Sequence, residues 1–283
     1  MRHPRLSRSA QGAGPVIPFP ARRADPPPLV AVAHGSKDPR AAATVSELLA
    51  AVRALSPGVD ARAAFLDHCA PAVGQVLGSL DGTAAVVVPL LLTAAYHSKA
   101  DVPAQLAAAA AARPDQRIAV AGTLGPHPLL LRALERRLRE AGVDTEDAVA
   151  RAGTSVVLAA AGSSDPAANA TVAALAGHWA RERGWRTAVP AYASATAPAP
   201  VDAVRALRAA GHGRVVVATY LLSPGYFADK IRAAALAAGA AAVSPVLGAA
   251  PEVAEVVLDR YAAAAAAGSQ SIVTGAGIRS RGL

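Results

Sequence analysis

Short apolar runs alternate with longer amphipathic segments along most of this chain. The runs have the length of buried strands, and the segments between them carry apolar residues at the spacing of a helix that faces a core. The pattern predicts strands at residues 29–33, 59–66, 84–92, 117–121, 155–160, 187–192, 214–222 and 241–247. It predicts helices at residues 40–55, 71–80, 102–113, 128–141, 167–183, 198–210, 227–238 and 251–266. Strands and helices that alternate in this way form parallel βα units with right-handed crossovers, so the expected class is α/β.

The second half of the chain repeats the first. Residues 34–45 have the sequence H-G-S-K-D-P-R-A-A-A-T-V, and residues 161–172 have A-G-S-S-D-P-A-A-N-A-T-V. The segment L-L-L-T-A-A-Y-H at 90–97 returns in a similar way as Y-L-L-S-P-G-Y-F at 220–227. These matches predict two copies of one domain, produced by an internal duplication.

The repeats and the composition divide the chain into four regions. Residues 1–28 are rich in Arg and Pro and are expected to form a disordered basic tail. Residues 29–145 and 146–267 are the two expected domains, with a linker at about 142–153. Residues 268–283, in which Gly, Ser and Arg dominate, are expected to be a flexible tail.

Composition excludes several classes of function. The formal charge of +8 could suit nucleic acid, but residues 2–23 alone carry five arginines and no acid, and aromatic residues make up only 4% of the chain. Cys69 is the only cysteine, which excludes a disulfide framework and a cysteine-based zinc site. There is no apolar segment of the kind found in secretion signals or membrane spans, so a soluble cytoplasmic protein is expected. No glycine-rich phosphate-binding motif occurs, which argues against nucleotide binding.

Three possible metal ligands follow successive strands of the first copy. His34, Asp67 and His97 stand one βα unit apart, and the carboxyl ends of parallel strands meet at one edge of a sheet. Two imidazoles and a carboxylate suit a divalent ion such as Fe²⁺, Co²⁺, Ni²⁺ or Zn²⁺. His68 could replace Asp67 as the third ligand, and Cys69 is either a soft ligand or a small core residue.

The duplication helps to separate function from structure at these histidines. Ala161 occupies the position of His34 in the second copy, and Phe227 occupies that of His97. A histidine that only caps a strand would have similar reason to persist in both copies. The loss of both therefore favours a functional role for the pair in the first copy.

The loops after the first strand of each copy offer backbone N–H groups at helix starts. Gly35-Ser36 and Gly162-Ser163 are therefore candidates to hold anions. Neither serine lies in the G-x-S-x-G turn of serine hydrolases, so a nucleophilic serine is not expected.

These segments together resemble a known family. A-H-G-S-K-D-P at 33–39, F-L-D at 65–67, P-L-L-L-T-A-A-Y-H-S-K-A-D-V-P at 89–103 and Y-L-L-S-P-G-Y-F-A-D-K-I at 220–231 are similar to the class II chelatases of the sirohydrochlorin cobaltochelatase/ferrochelatase group, in their long two-domain form. The resemblance covers residues 29–250. It implies two flavodoxin-like domains that face each other across a cleft holding a tetrapyrrole. It also implies insertion of Fe²⁺ or Co²⁺ into sirohydrochlorin, towards sirohaem or cobalamin, without a nucleotide.

The resemblance also implies roles for single residues. His34 and His97 correspond to the two family histidines, which would bind the metal and accept protons. Asp67 corresponds to the family's acidic position, which is often Glu. Ala95 stands where the family commonly has Gly, and Lys99 stands where it commonly has Arg.

Sirohydrochlorin is a polycarboxylate, so basic residues of the cleft are expected to bind its carboxylates. The expected substrate-binding residues are Gly35, Ser36, Lys99, Gly162, Ser163, Gly225, Tyr226 and Lys230, with Arg40 as a further candidate. A monomer or a homodimer is expected, with no nucleic acid and no membrane partner.

Two other functions stay open at this point. One is a metal carrier or storage protein that uses the same histidines without turnover. The other is a catalytically degenerate chelatase-like binding protein. The ligand set does not distinguish iron from cobalt.

Overall fold

The computed structural model describes residues 26–82, 84–94 and 101–267, and two further strands in the C-terminal segment. The first copy contains strands β1 (Leu29–Ala33), β2 (Ala61–Phe65), β3 (Ala84–Pro89) and β4 (Arg117–Val120). The second contains β5 (Thr154–Ala160), β6 (Thr187–Tyr192), β7 (Arg214–Tyr220) and β8 (Ala242–Val243). The strands β9 (Ser271–Thr274) and β10 (Gly277–Ser280) follow.

Helices connect the strands in the predicted order. They are α1 (Pro39–Leu55), α2 (Val73–Gly78), α3 (Val102–Ala112), α4 (Pro128–Glu140), α5 (Ala148–Gly153), α6 (Pro166–Arg183), α7 (Pro200–Ala209), α8 (Tyr226–Ala237) and α9 (Pro251–Ala267). Among the described residues, no helix combines the length and apolar character that crossing a membrane requires.

The two copies have the same strand order. β1 lies between β2 and β3 with β4 outside, in the order 2-1-3-4, and the second copy has β6-β5-β7-β8. All neighbours within these sets of four are parallel, as in Leu29 opposite Ala61 and Ser155 opposite Thr187. This is the flavodoxin-like order, which confirms the predicted fold class.

Several strands are shorter than the apolar runs suggest. β3 ends at Pro89, and β8 has only two residues, with Pro245 following shortly after. Proline has no N–H to donate to a neighbouring strand, so it ends or limits a ladder. The apolar residues beyond β3, Leu90 to Leu92, still line the edge of the sheet where the site lies.

The linker and the C-terminal segment also differ from expectation. Residues 148–153 form α5, because the Asp147 carboxylate caps this helix by accepting from the Val149 N–H at 2.7 Å. In the expected tail, β9 pairs antiparallel with both β4 and β10 and extends the first sheet to six strands. The sequences S-I-V-T and G-I-R-S contain β-branched residues that favour strands.

The two sheets share one core, and each copy contributes its last helix to the other copy. α9 packs on α1, β3 and β4 of the first copy, while α4 packs on β7 of the second. Apolar residues of α1, α4, α6 and α9 form a single buried cluster with the facing strands. The outer faces are covered separately, by α2 and α3 on the first sheet and by α7 and α8 on the second.

Polar contacts reinforce this exchange. Arg136 of α4 binds Glu252 of α9 through two guanidinium nitrogens at 2.7–3.0 Å. Arg137 donates to the Leu247 carbonyl oxygen at 2.8 Å. The Tyr261 hydroxyl of α9 donates to the Pro27 carbonyl oxygen at 2.7 Å. The repeats are therefore separate in sequence but interlocked in space, which holds their strand ends in a fixed relation across the cleft.

Candidate functional site

His34 lies at the carboxyl end of β1, where the chain turns into α1. The turn passes through Gly35 at φ +92°, and a Cβ there would collide with the Asp67 carbonyl oxygen. The Asp67 N–H donates to the His34 carbonyl oxygen at 2.9 Å, so the ends of β1 and β2 are joined. The Asp38 carboxylate caps α1 by accepting from the Arg40 N–H at 2.9 Å.

The second copy reproduces this frame without the histidine. Gly162 follows Ala161 at φ +85°, and a Cβ there would collide with the Ser194 carbonyl oxygen. The Ser194 N–H donates to the Ala161 carbonyl oxygen at 3.0 Å. His68 and Ala195, which occupy equivalent positions, both have positive φ, at 61° and 65°. The backbone of the site is thus duplicated, whereas the imidazole of His34 has no counterpart in the second copy.

A cleft of about 530 Å³ opens beside His34 and lies between the two copies. The first copy contributes the ends of β1, β2 and β3, and the second copy contributes the loop from Leu221 to Ala228. The residues of this first cavity that bear on its chemistry are His34, Gly35, Ser36, Lys37, His68, Gly225, Tyr226 and Phe227. The rest of the lining is mostly aliphatic, which suits the face of a large planar ligand.

His68 lines the first cavity, but Asp67 does not. The rings of His34 and His68 are nearly parallel, at 14°, and their centroids are 6.4 Å apart. The Asp67 carboxylate turns back onto its neighbour, with Oδ1 accepting from the His68 N–H at 2.7 Å and Oδ2 lying 3.3 Å from Nε2. Of the two candidates for the third ligand, His68 thus lines the first cavity and Asp67 contacts the His68 ring.

A lysine lines the first cavity, and an ion-pair network between the two copies lies beside it. Lys37 is exposed and lines it, a residue that sequence reasoning missed although it stands in the H-G-S-K segment. The Arg40 guanidinium bridges Asp38 and Asp229, at 2.6 Å from each carboxylate, and so links the two copies. The hydrogen bonds from Arg40 lower the pKa of Asp38 and keep this carboxyl ionised.

The loop before α8 carries two exposed aromatic rings. Tyr226 and Phe227 have ring centroids 5.7 Å apart and are tilted by 55°. Lys230 holds its ammonium 6.0 Å from the centroid of Tyr226, within the range of a cation–π contact. Gly225 precedes them at φ +148°, close to the Asp38 carboxylate. Of the predicted substrate-binding residues, Gly225 and Tyr226 line the first cavity and Lys230 stands at its edge.

A second cavity of about 280 Å³ is the counterpart of the first. It is lined by Ala161, Gly162 and Ser163, the positions equivalent to His34, Gly35 and Ser36, and by Leu90 to Thr93 from the first copy. His34 also lines this second cavity. The imidazole therefore stands between the two cavities.

The two loops differ in their free backbone donors. The Ser163 N–H donates to Asn169 Oδ1 at 3.0 Å, and Asn169 Nδ2 donates to the Ser163 carbonyl oxygen at 2.7 Å. The expectation that this N–H binds an anion is therefore wrong, because a side chain of the protein occupies it. Ala42 stands at the equivalent position of the first copy, and within the described part of the chain the Ser36 N–H has no hydrogen-bond partner.

Two predicted residues, His97 and Lys99, lie outside the described residues. Within the ranges that are described, no group of three or more His, Cys, Asp or Glu residues is close enough to hold a metal ion. The Cys69 thiol donates to the Ser36 carbonyl oxygen at 3.1 Å.

Comparison with known proteins agrees with the duplication. The CbiX family model matches residues 28–141 and, a second time, residues 155–264. The sirohydrochlorin cobaltochelatase of Priestia megaterium is 26% identical over 204 residues, which is 71% of this chain and 65% of that protein. The chain thus spans just under two thirds of that relative. The sirohydrochlorin ferrochelatase of Bacillus subtilis (strain 168) is 25% identical over 206 residues, 72% of this chain and 77% of that protein.

Solved structures share the fold. SirB from Bacillus subtilis with Fe³⁺ superposes with a TM-score of 0.74 at 24% identity, over 85% of this chain and 96% of that one. The sirohydrochlorin chelatase SirB from Bacillus subtilis subspecies spizizenii in complex with cobalt superposes with a TM-score of 0.69 at 21% identity, over 84% and 95%. With the family model matching both repeats, the chain belongs to the CbiX family of class II chelatases.

Proposed function

We propose that this protein is a sirohydrochlorin chelatase, which inserts Fe²⁺ or Co²⁺ into a tetrapyrrole bound in the cleft between the two copies. The observation that carries the proposal is the position of His34. A half-buried imidazole stands at the inner wall of a mostly apolar cavity, which Lys37 lines and beside which Arg40 and Lys230 stand. Such a cavity fits a planar macrocycle with carboxylates at its periphery.

The histidines supply the metal-handling groups. His34 is the first, and His97 is the second on the strength of the family motif. His68 faces the same cavity as His34, and Asp67 holds the His68 ring in place, as carboxylates commonly do for metal-binding imidazoles. Imidazole nitrogen suits both Fe²⁺ and Co²⁺, so these residues serve either metal. An open site with few ligands also lets the ion leave for the macrocycle.

Metal insertion releases two protons. The incoming M²⁺ replaces the two N–H protons of the macrocycle, so the net charge of the macrocycle is unchanged and both protons must be accepted elsewhere. A neutral imidazole near the ring can accept such a proton at physiological pH and pass it to water. His34 is placed for this role, because it lies at the wall of the cavity that would hold the ring.

The rim binds the carboxylates. Lys37, Arg40 and Lys230 provide charge, and the Ser36 N–H provides a directed donor. Tyr226 and Phe227 provide an aromatic surface for the macrocycle edge. Gly162 forms part of the cleft wall, and the backbone N–H that binds a carboxylate is that of Ser36 in the first copy.

The test is anaerobic metallation of sirohydrochlorin, followed by absorbance, with Co²⁺ and Fe²⁺ in separate reactions. We expect the protein to accelerate insertion above the rate without protein, and the two rates rank the metals. Tight binding of Co²⁺ without tetrapyrrole affinity would instead identify a metal carrier. Tetrapyrrole binding without acceleration would identify a degenerate binding protein.

A further inference from the structure

The segment that follows β3 forms a wall of the site between the two copies. Leu90 and Leu91 line both cavities beside His34, and the two residues after them line the second cavity. From this segment the chain continues to His97. The contacts that fix the segment therefore decide where this wall stands relative to the metal-handling imidazole.

Two hydrogen bonds hold the carbonyl groups of this segment. The Leu91 carbonyl oxygen accepts from the Leu124 N–H, after β4, at 2.8 Å. The Leu92 carbonyl oxygen accepts from the hydroxyl of Tyr220 at 3.3 Å, and Tyr220 belongs to β7 of the second copy. The next two residues make no backbone hydrogen bond to the described part of the chain. The hydroxyl from the second copy is thus the last such contact before the region that contains His97.

The second copy satisfies the equivalent carbonyl group with its own backbone. The Leu222 carbonyl oxygen, at the position of Leu92, accepts from the Gly248 N–H at 2.8 Å. Gly248 has a φ of +58°, whereas its counterpart Gly125 lies outside the left-handed region. Among the residues that the structure describes, no backbone N–H donates to the Leu92 carbonyl oxygen, so the Tyr220 hydroxyl takes the place of one.

This contact is specific to one copy. Leu90 occupies the position of Tyr220 in the first repeat and has no side-chain group to donate. The Tyr220 ring is buried, and a buried tyrosine hydroxyl needs a hydrogen-bond partner. Gly125 makes the close approach possible, since a Cβ there would collide with both the Tyr220 hydroxyl and the Leu92 carbonyl oxygen. The segment after β3 is therefore joined to a residue that only the second copy carries.

We propose that Tyr220 is a positioning residue for metal insertion, because its hydroxyl fixes the wall that stands beside His34 and from which the chain continues to His97. This inference rests on the proposed function. The hydrogen bond is long, at 3.3 Å, so its loss is expected to shift the segment rather than to unfold the protein. Small displacements near reacting groups slow a reaction strongly, because the reacting atoms must be held in a narrow range of geometry.

The chain offers a matched control. Tyr220→Phe removes the hydroxyl and keeps the ring, so the packing between the copies is retained. The Tyr261 hydroxyl likewise joins a buried ring to a backbone carbonyl oxygen, that of Pro27, at 2.7 Å, and Tyr261 is absent from the described lining of both cavities. Tyr261→Phe is therefore the control. Gly125→Ala is a second probe, because its Cβ separates the Tyr220 hydroxyl from the Leu92 carbonyl oxygen.

The experiment measures anaerobic steady-state insertion of Co²⁺ into sirohydrochlorin and, separately, Co²⁺ binding without tetrapyrrole, both by visible absorbance. Circular dichroism first establishes that each variant is folded. We expect Tyr220→Phe and Gly125→Ala to lower kcat severalfold and to weaken Co²⁺ binding. The KM for sirohydrochlorin should be nearly unchanged, because the groups that bind its carboxylates lie on other segments. Tyr261→Phe should keep the wild-type kcat and KM although it loses the shorter hydrogen bond.

Wild-type kcat and Co²⁺ affinity in folded Tyr220→Phe would overturn the inference. An equal loss in Tyr261→Phe would also overturn it, because the effect would then follow from stability alone. A rise in KM without a change in kcat would show that Tyr220 shapes the macrocycle cavity instead. If Tyr220→Phe does not fold, Gly125→Ala decides by the same criteria. Failure of the wild type to insert metal would refute the proposed function, and the Co²⁺ affinities of the variants would still test the role of Tyr220.

Discussion

The imidazoles of His68 and His34 lie nearly parallel with their ring centroids 6.4 Å apart, and the Asp67 carboxylate lies 3.3 Å from Nε2 of His68. His68 thus shares the cavity with His34, and Asp67 is placed to orient the His68 ring. The segment that follows β2 therefore contributes an imidazole to the cavity, and a carboxylate contacts that imidazole.

This arrangement predicts a ranking of variants in cobalt binding. His68→Ala removes the cavity imidazole and is expected to weaken Co²⁺ affinity, measured by calorimetry without tetrapyrrole. Asp67→Asn keeps the imidazole but loosens its orientation, and carboxylate partners of metal-binding histidines typically contribute about tenfold or more in affinity. His178→Ala, which changes an exposed histidine on α6, is the control and should leave affinity unchanged. A larger loss for Asp67→Asn than for His68→Ala would show that the carboxylate itself is the ligand.

Arg40 joins the two copies, because its guanidinium pairs with Asp38 of the first copy and Asp229 of the second. Its ion pair with Asp229 is exposed, and such pairs contribute little to the stability of a fold, because water screens them. Asp229→Asn is therefore expected to leave the melting temperature nearly unchanged while freeing Arg40 for substrate carboxylates. The KM for sirohydrochlorin should fall in Asp229→Asn and rise in Arg40→Ala, with a smaller difference at high salt. Equal KM values in both variants would remove Arg40 from the substrate rim.

The two duplicated glycine turns should respond alike to substitution. Gly35→Ala and Gly162→Ala both place a Cβ against a backbone carbonyl oxygen at positive φ. Each is expected to lower the free energy of unfolding by about 1–3 kcal/mol, measured by urea denaturation. Gly74→Ala, in α2 with open space around its Cβ, is expected to be neutral or stabilising, by up to about 1 kcal/mol. Neutral behaviour of Gly35→Ala would mean that the turn relaxes easily.

The pH dependence of stability should include a contribution from His127. This residue caps α4 by accepting from the Leu129 N–H at 3.3 Å, and burial, followed by the charge of Arg260, lowers its pKa. The folded protein thus binds a proton less readily at this site than the unfolded chain, whose histidines titrate near the ordinary value of about 6.5. This contribution to the free energy of unfolding is present above that value and is lost as the pH falls below it.

His127→Asn tests the effect, because asparagine retains the cap without the titration. We expect the free energy of unfolding of the wild type to decline relative to that of the variant as the pH falls from 7 to 5, in urea denaturation. A constant difference between the two proteins over this range would contradict the lowered pKa.

Sequence patterns predicted the features of the fold that depend on residues close together in the chain. The apolar runs predicted the order of the strands, and the helix predicted at residues 40–55 matches α1 to within one residue at its start. The position of His34 at a strand end followed from the same pattern. The repeat could have been extended further, since D-H-C-A-P-A at 67–72 and S-A-T-A-P-A at 194–199 share A-P-A in register and have the same backbone path.

Long-range packing was beyond those patterns. The exchange of α4 and α9 depends on which sheet offers the better complement to an apolar helix face, and neither helix carries a local signal of its partner. Asn169 likewise stands six residues from the N–H that it closes, on a helix where the first copy has Ala42. The anion-binding expectation at Ser163 failed for this reason, because an Asn in a helix pattern does not reveal that its amide turns back to the preceding loop.

The central claim is that the first copy performs metal insertion through His34, and one measurement tests it most directly. The rate of anaerobic Co²⁺ insertion into sirohydrochlorin would be compared between the wild type, His34→Ala and the exposed control His178→Ala. We expect the wild type and His178→Ala to accelerate the reaction alike, and His34→Ala to fall to the rate without protein while still folding. Undiminished insertion by folded His34→Ala would contradict the account.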